Sequence, residues 1–163
     1  MANIIFYING DWVSENNAKI PFNDAGFLYG DGLFETVRFQ NRKLFRPQMH
    51  INRLRSGLKI LSLHLPINDQ AIISILEKSI EKNQIVNGLL RMIITRGFIH
   101  KGFPWNHTGT PGLYVSIRPL SSEPEIPVKI VYLKESSFPL IRFKPAIKSV
   151  NYLGNMLAKK EAE

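Results

Sequence analysis

Gly26-Phe-Leu-Tyr-Gly-Asp-Gly-Leu-Phe-Glu-Thr36 places three glycines within seven residues and then runs directly into an alternating pattern. Glycine in such a stretch permits tight turns or a close approach of backbone to a ligand. From Leu33 to Phe39 the side chains alternate. Leu33, Glu35, Val37 and Phe39 share one face; Phe34, Thr36 and Arg38 share the other. Apolar groups on both faces predict an internal strand.

Upstream, Ile4 to Ile8 and Trp12 to Val13 flank Asn9-Gly10. An Asn-Gly pair between apolar runs predicts a hairpin, because its turn needs positive φ twice. Ser14 to Asp24 is polar and reads as a loop. Downstream, Lys43 to Arg46 reads as a hairpin partner of the Leu33 strand across Gln40-Asn-Arg42. Pro47 suits the first turn of a helix, and Ile51, Leu54, Leu58 and Leu61 recur at helical spacing as far as Ser62. Pro66 breaks the chain. Asn68 can cap a second helix with Ile72, Ile73, Leu76 and Ile80 on one face. Leu89 to Thr95 and Leu113 to Arg118 read as strands around a loop from Gly97 to Gly112. Pro119 to Pro127 holds three prolines and two serines and reads as a linker. Beyond it, Val128 to Leu133 predicts a further strand, and the chain turns helical from about Asn151.

The chain has 163 residues, 44% hydrophobic and 21% charged, with 10 phenylalanines, which is globular composition and excludes a disordered or fibrous protein. It has no cysteine, so disulfides, cysteine metal sites and a cysteine nucleophile are excluded. The N-terminal MANIIFYINGDW lacks a signal-peptide pattern, and no apolar run is long enough to span a membrane, so the expectation is a cytoplasmic protein. The net charge is +8. Asp and Glu are absent from Thr36 to Asn68 and again from Lys82 to Ser122, which together hold twelve lysines and arginines. Such imbalance points to an anionic partner: nucleic acid, a phosphorylated cofactor or carboxylate substrates. The plainer reading is a solvated basic surface.

Two cations stand out. Lys148 lies between a proline-bounded extended segment and a helix start, where a side chain can face a cleft. A desolvated lysine sheds its proton and attacks carbonyl carbon. Arg53 sits beside the apolar stripe of the first long helix. Its fork cannot lose its charge and requires an anion. With no acid from residue 36 to 68, a local ion pair is not available, and a phosphate is the expected partner; the alternative is an arginine reaching out to water. His50, His64, His100 and His107 show no metal-ligand spacing, so no metal site is expected. There is no GxSxG and no Walker lysine motif. His100 and Lys101, in Gly97-Phe-Ile-His-Lys-Gly102, could reach a substrate carboxylate.

Four blocks, in order and suitably spaced, resemble the class IV aminotransferases, the fold-type IV pyridoxal-phosphate enzymes. These are Gly26 to Thr36, His50-Ile-Asn-Arg-Leu54, Thr95-Arg-Gly97, and Ile147-Lys-Ser-Val-Asn-Tyr-Leu153 running into Leu157-Ala-Lys159. The family includes branched-chain and D-amino acid aminotransferases and aminodeoxychorismate lyase. The resemblance implies an α+β fold: an N-terminal two-layer α/β sandwich over residues 1–120, then the linker and the beginning of a barrel-like second domain over 121–163. It implies pyridoxal 5'-phosphate as cofactor, with Lys148 attached to it and moving protons and Arg53 on its phosphate. Phe34 falls in the active-site wall, where D-specific members usually carry tyrosine. The His100–Lys101 region falls where D-specific members place an arginine for the substrate carboxylate.

The implied reaction moves an amino group between an amino acid and a 2-oxo acid. The same lysine would serve pyruvate elimination from aminodeoxychorismate. A homodimer is implied as well. Family members extend well past the position of Glu163. The carboxylate facing their pyridine nitrogen and a second phosphate-binding turn lie in that extension, so residues 1–163 alone are expected to be a fragment with little or no activity. Two rival readings are a basic nucleic-acid-binding module and a domain kept for assembly. The first is disfavoured because no predicted sheet face interleaves aromatic with basic residues.

Overall fold

The computed structural model describes residues 4–99, 110–121, 127, 129–138 and 146–163. Asn9 and Gly10 take φ of 51° and 112° and close the hairpin between β1 (Ile5–Ile8) and β2 (Asp11–Ser14). The glycine-rich stretch is a short helix and its stop. This helix, α1 (Ala25–Tyr29), ends at Gly30, whose φ of 67° is left-handed. β3 (Gly32–Gln40) then turns back into the two-residue β4 (Lys43–Leu44). The remaining elements are α2 (Pro47–Ile60), α3 (Asp69–Asn83), β5 (Gly88–Thr95), β6 (Gly112–Pro119) and α4 (Leu153–Ala162). Asn68 caps α3 as its position predicts, accepting the Ala71 N–H at 2.8 Å.

The strands form one antiparallel sheet in the order β2-β1-β6-β5-β3-β4, so β3 is internal. Ile51, Leu54 and Leu58 of α2 and Ile72, Leu76 and Ile80 of α3 bury themselves in one cluster with Leu33, Val37 and Phe39 of β3 and alternate residues of β5 and β6. Helical spacing of three and four meets strand spacing of two, and both helices cover the same sheet face. The result is the expected two-layer sandwich. Each fully buried leucine or isoleucine in it contributes about 1.5–3 kcal/mol.

The strand expected at Val128 to Leu133 is not found. Val128 lies outside the described residues, and residues 129–133 form no strand. Ile130 is 81% exposed and Tyr132 99%. A strand persists only where a neighbouring edge takes its hydrogen bonds, and none of the described residues supplies one here. The chain does rejoin the sheet later. Ser149 bridges Leu33, Phe34 N donates to Lys148 O at 2.8 Å, and Val150 N donates to Gly32 O at 3.1 Å. This segment covers the edge of β3 that β4 leaves open.

Asp24, at the end of the expected polar loop, is buried. Its carboxylate accepts from Gly26 N, Phe27 N, Thr95 Oγ1 and Tyr114 OH at 2.8, 3.2, 2.7 and 3.0 Å. Four donors offset the desolvation of the charge. Burial, then the charge of Asp24 and its hydrogen bond, push the Tyr114 phenol up to about 12. The unfolded phenol ionises near 10, so this contribution is complete below pH 10 and fades as pH rises through the native value. Urea unfolding at stepped alkaline pH is expected to show the wild type losing about 2–3 kcal/mol more than Tyr114→Phe across that window.

Candidate active site

Pairing with β3 sets Lys148 opposite Phe34. The Lys148 Nζ stands 4.5 Å from the centroid of the Phe34 ring. Arg91, on β5, places its guanidinium carbon 4.6 Å from the same ring, and Tyr152 packs edge-on at 5.4 Å between centroids. Phe34 is therefore buried under two cations and a second ring. A cation over an aromatic face is attracted by the ring quadrupole, which favours this position of the Lys148 amine. In the sequence Arg91 stands out only as one of the basic residues of an acid-free stretch. Its position two residues from the cross-strand partner of Phe34 is the signal that marks it.

This stacking also corrects an expectation. Arg91 and Phe34 do interleave a basic and an aromatic residue on the sheet face away from the helices. With its ring only 6% exposed, Phe34 offers no face on which a nucleic-acid base could stack.

Arg53 has an ion-pair partner, contrary to expectation. Its Nε and Nη2 donate to Oε1 and Oε2 of Glu35 at 2.5 and 2.6 Å, a bidentate contact. His50 Nδ1 lies 2.8 Å from Glu35 Oε2, and since a carboxylate only accepts, the Nδ1 proton stands between them. Glu35 is 1% exposed, whereas the Arg53 side chain is 49% exposed. The acid-free stretch begins one residue past this partner. Glu35 is distant along the chain but faces one turn of α2 across the sheet.

Burial pushes the Glu35 carboxyl up more than any other single influence. Hydrogen bonds from Arg53 and His50, and then their charges, outweigh it and hold the group below the usual range. Glu35 takes Nε and Nη2, and among the described residues Nη1 makes no hydrogen bond.

Lys148 and Arg53 thus meet β3 at successive residues, Phe34 and Glu35, which face opposite sides of the strand. A second contact ties their supports together. Gly57 follows Arg53 by one turn on α2, and a Cβ there would lie 2.7 Å from Leu33 Cδ1 and 3.5 Å from Ile147 Cγ2. The absence of a side chain lets the lysine-bearing segment close on the arginine-bearing helix.

A cleft of about 520 Å³ opens beside this segment, lined by Gly26, Phe27 and Gly30 on one side and Val150 to Gly154 on the other. His100, Lys101 and His107 lie outside the described residues. Among the described residues no three potential metal-ligating side chains cluster, and no helix is long and apolar enough to cross a membrane.

The sequence model of the amino-transferase class IV family matches residues 32–163, from the start of β3 through the lysine segment. The chain belongs to the class IV aminotransferases. It is 32% identical over 163 residues to the aminodeoxychorismate lyase of Bacillus subtilis, covering 96% of this chain and 54% of the relative. It is 31% identical over 162 residues to the D-alanine aminotransferase of Staphylococcus epidermidis, with 96% and 55% coverage. The chain therefore spans about half the length of the curated relatives it matches.

The fold matches the branched-chain amino acid aminotransferase of Escherichia coli with a TM-score of 0.79 at 22% identity, over 98% of this chain and 56% of that one. It also matches a second branched-chain amino acid aminotransferase, solved with pyridoxamine 5'-phosphate, at TM-score 0.77 and 20% identity, over 98% and 56%. At these identities the likeness establishes the class IV fold. The chain corresponds to about half of that fold.

Proposed function

We propose that this chain forms part of a pyridoxal-phosphate-dependent enzyme that moves an amino group between an amino acid and a 2-oxo acid, with Lys148 as its catalytic residue. The observation that carries the reading is the placement of an amine on the face of Phe34, next along β3 from a carboxylate that orients Arg53. By chemical type the two residues suit a phosphorylated aldehyde, an amine for its carbonyl and a guanidinium for its phosphate. Lys148 Nζ would attach to it with loss of water, and the donors of Arg53 that Glu35 leaves over would take the phosphate. When bound, the coenzyme supplies a sink for the electrons released at the substrate Cα.

The chain's own residues supply the rest. Lys148 Nζ, freed when substrate binds, would take the Cα proton and pass it on to a second carbon. Phe34 and Tyr152 form an aromatic wall beside the amine. Arg91 on the same ring, with His100 and Lys101, offers positive charge to substrate carboxylates. In the same reading residues 1–120 are the small domain and 121–163 open the barrel-like one, in a cytoplasmic homodimer. The lyase reading is held alongside, because the Bacillus subtilis lyase matches as well as the D-alanine aminotransferase does. It uses the same lysine to release pyruvate from aminodeoxychorismate.

The test uses the polypeptide expressed to the natural end of its reading frame. Pyridoxal phosphate is added, the complex is reduced with borohydride, and the modified peptide is mapped by mass spectrometry. Label on Lys148 is the expected result; label on another lysine, or none, overturns the proposal. Coupled assays of L- and D-amino acids with 2-oxoglutarate, run beside pyruvate release from aminodeoxychorismate, then separate transfer from elimination.

A further inference from the structure

Asn151, three residues past Lys148, reaches back to the turn before β3. Its Nδ2 donates to Gly30 O at 2.8 Å and to Ser149 Oγ at 2.7 Å, and its backbone N–H donates to Ser149 Oγ at 3.1 Å. One side-chain amide therefore joins that turn to the strand-like segment that carries the lysine. Gly30 is shaped to receive it. A Cβ at Gly30 would lie 2.2 Å from Asn151 Oδ1, and the φ of 67° at Gly30 already disfavours any side chain.

The turn is rigid enough to serve as an anchor. Asp31 N donates to Ala25 O at 3.2 Å, and Arg96 N donates to Asp31 O at 3.1 Å. The Arg96 guanidinium grips the Asp31 carboxylate through Nε and Nη2, and Nη2 also donates to Leu61 O at 2.8 Å. Turn, β5 and the end of α2 are thus bound to one another. The lysine segment hangs on this frame by two backbone hydrogen bonds, Phe34 N to Lys148 O and Val150 N to Gly32 O, and by the Asn151 amide. A lysine side chain is long and flexible, so its amine is placed no better than the backbone that carries it.

We propose that Asn151 is a positioning residue for Lys148: it clamps residues 148–150 to the Gly30–Gly32 turn and so sets the reach of the Lys148 amine. The inference rests on Lys148 being the amine that attaches to pyridoxal phosphate. Its test compares the wild type with Asn151→Ala and Asn151→Asp, which keeps the shape of the side chain but replaces the N–H donor with an acceptor facing Gly30 O. Three readouts are taken on the protein expressed to the natural end of its reading frame: the rate of borohydride trapping at Lys148 under limiting pyridoxal phosphate, the affinity for pyridoxamine phosphate, and amide exchange at Val150.

Both variants are expected to trap about tenfold more slowly, since a displacement on the order of 1 Å at a reacting group costs at least that much. Pyridoxamine phosphate has no aldehyde to condense with the lysine, so its affinity should stay within about twofold of the wild type. Exchange at Val150 should accelerate about tenfold while core amides of β5 hold their protection. Wild-type trapping rates in the variants overturn the clamp. So does an equal loss of both ligands, which would mean that Asn151 supports the fold as a whole. If the wild type is itself unlabelled at Lys148, the functional reading falls and this inference with it.

Discussion

Alanine at position 148 is expected to lower turnover by at least about 10³-fold while leaving the fold intact. In the proposed mechanism Lys148 attaches to an aldehyde and carries a proton from one carbon to another, and among the described residues no neighbour can take over either. Arg91 shares the Phe34 ring, but its guanidinium stays protonated in any protein and is neither a nucleophile nor a base near neutrality. Lys148→Arg should therefore be as inactive as Lys148→Ala, although it keeps the charge over the ring. The cation–ring contact itself is worth only about 0.5–1 kcal/mol at a partly exposed site, so the melting temperature should move little. Steady-state kinetics and calorimetry on both variants check this, and a variant retaining a sizeable share of wild-type turnover would remove Lys148 from the mechanism.

The second large effect is expected at Arg53. Arg53→Ala removes the fork that neutralises Glu35 and leaves a carboxylate that is 1% exposed with only His50 beside it. Breaking such a pair from one side costs about 3–5 kcal/mol when both partners are buried; with Arg53 half exposed, about 2–3 kcal/mol is the reasonable expectation. The same change should weaken phosphate binding about 10–100-fold, the worth of one or two charge-assisted hydrogen bonds. Arg53→Ala combined with Glu35→Gln separates the two effects: the double variant should regain most of the stability and none of the phosphate affinity. Equal recovery of both would mean that Arg53 serves only to neutralise Glu35.

The pair also predicts an acid response. Glu35 is held below the usual carboxylate range in the native state, so its contribution to stability is complete above the ordinary glutamate value of about 4.3 and is lost as pH falls through the lower native value. Glu35→Gln should flatten the acid limb of the stability profile.

The secondary structure was legible because local rules agreed with one another. Asn9-Gly10, Pro47, Asn68 and the leucines and isoleucines of α2 and α3 each specify a turn, a start, a cap or a face with no knowledge of the rest of the chain. The strand expected after the linker failed because it had only composition behind it. The apolar residues at 130–133 are compatible with a strand, but pairing requires a neighbour that sequence alone does not place.

For the site, the lysine and the arginine could be picked out by type and motif, whereas their surroundings could not. Glu35 read as one polar position in an alternating strand, yet it is the partner of Arg53. Asp24 read as the end of a loop, yet it is a buried hub for four donors. A buried charge becomes recognisable only when the groups that offset its desolvation are known, and here they come from residues as far as 15 to 90 positions away.

The amino-acid sequence by itself determined the two long helices and the strands of the sheet, which faces they bury and which amine and guanidinium could act, because periodicity, caps and turn residues operate over a few neighbouring positions. Only the tertiary structure decided that the amine lies on Phe34 beside Arg91, that Arg53 is oriented by Glu35, and that Asn151 ties the lysine segment to the turn at Gly30. Those contacts depend on strand register and on helix-to-sheet packing, and both are fixed by the balance of the whole core rather than by any stretch of the chain.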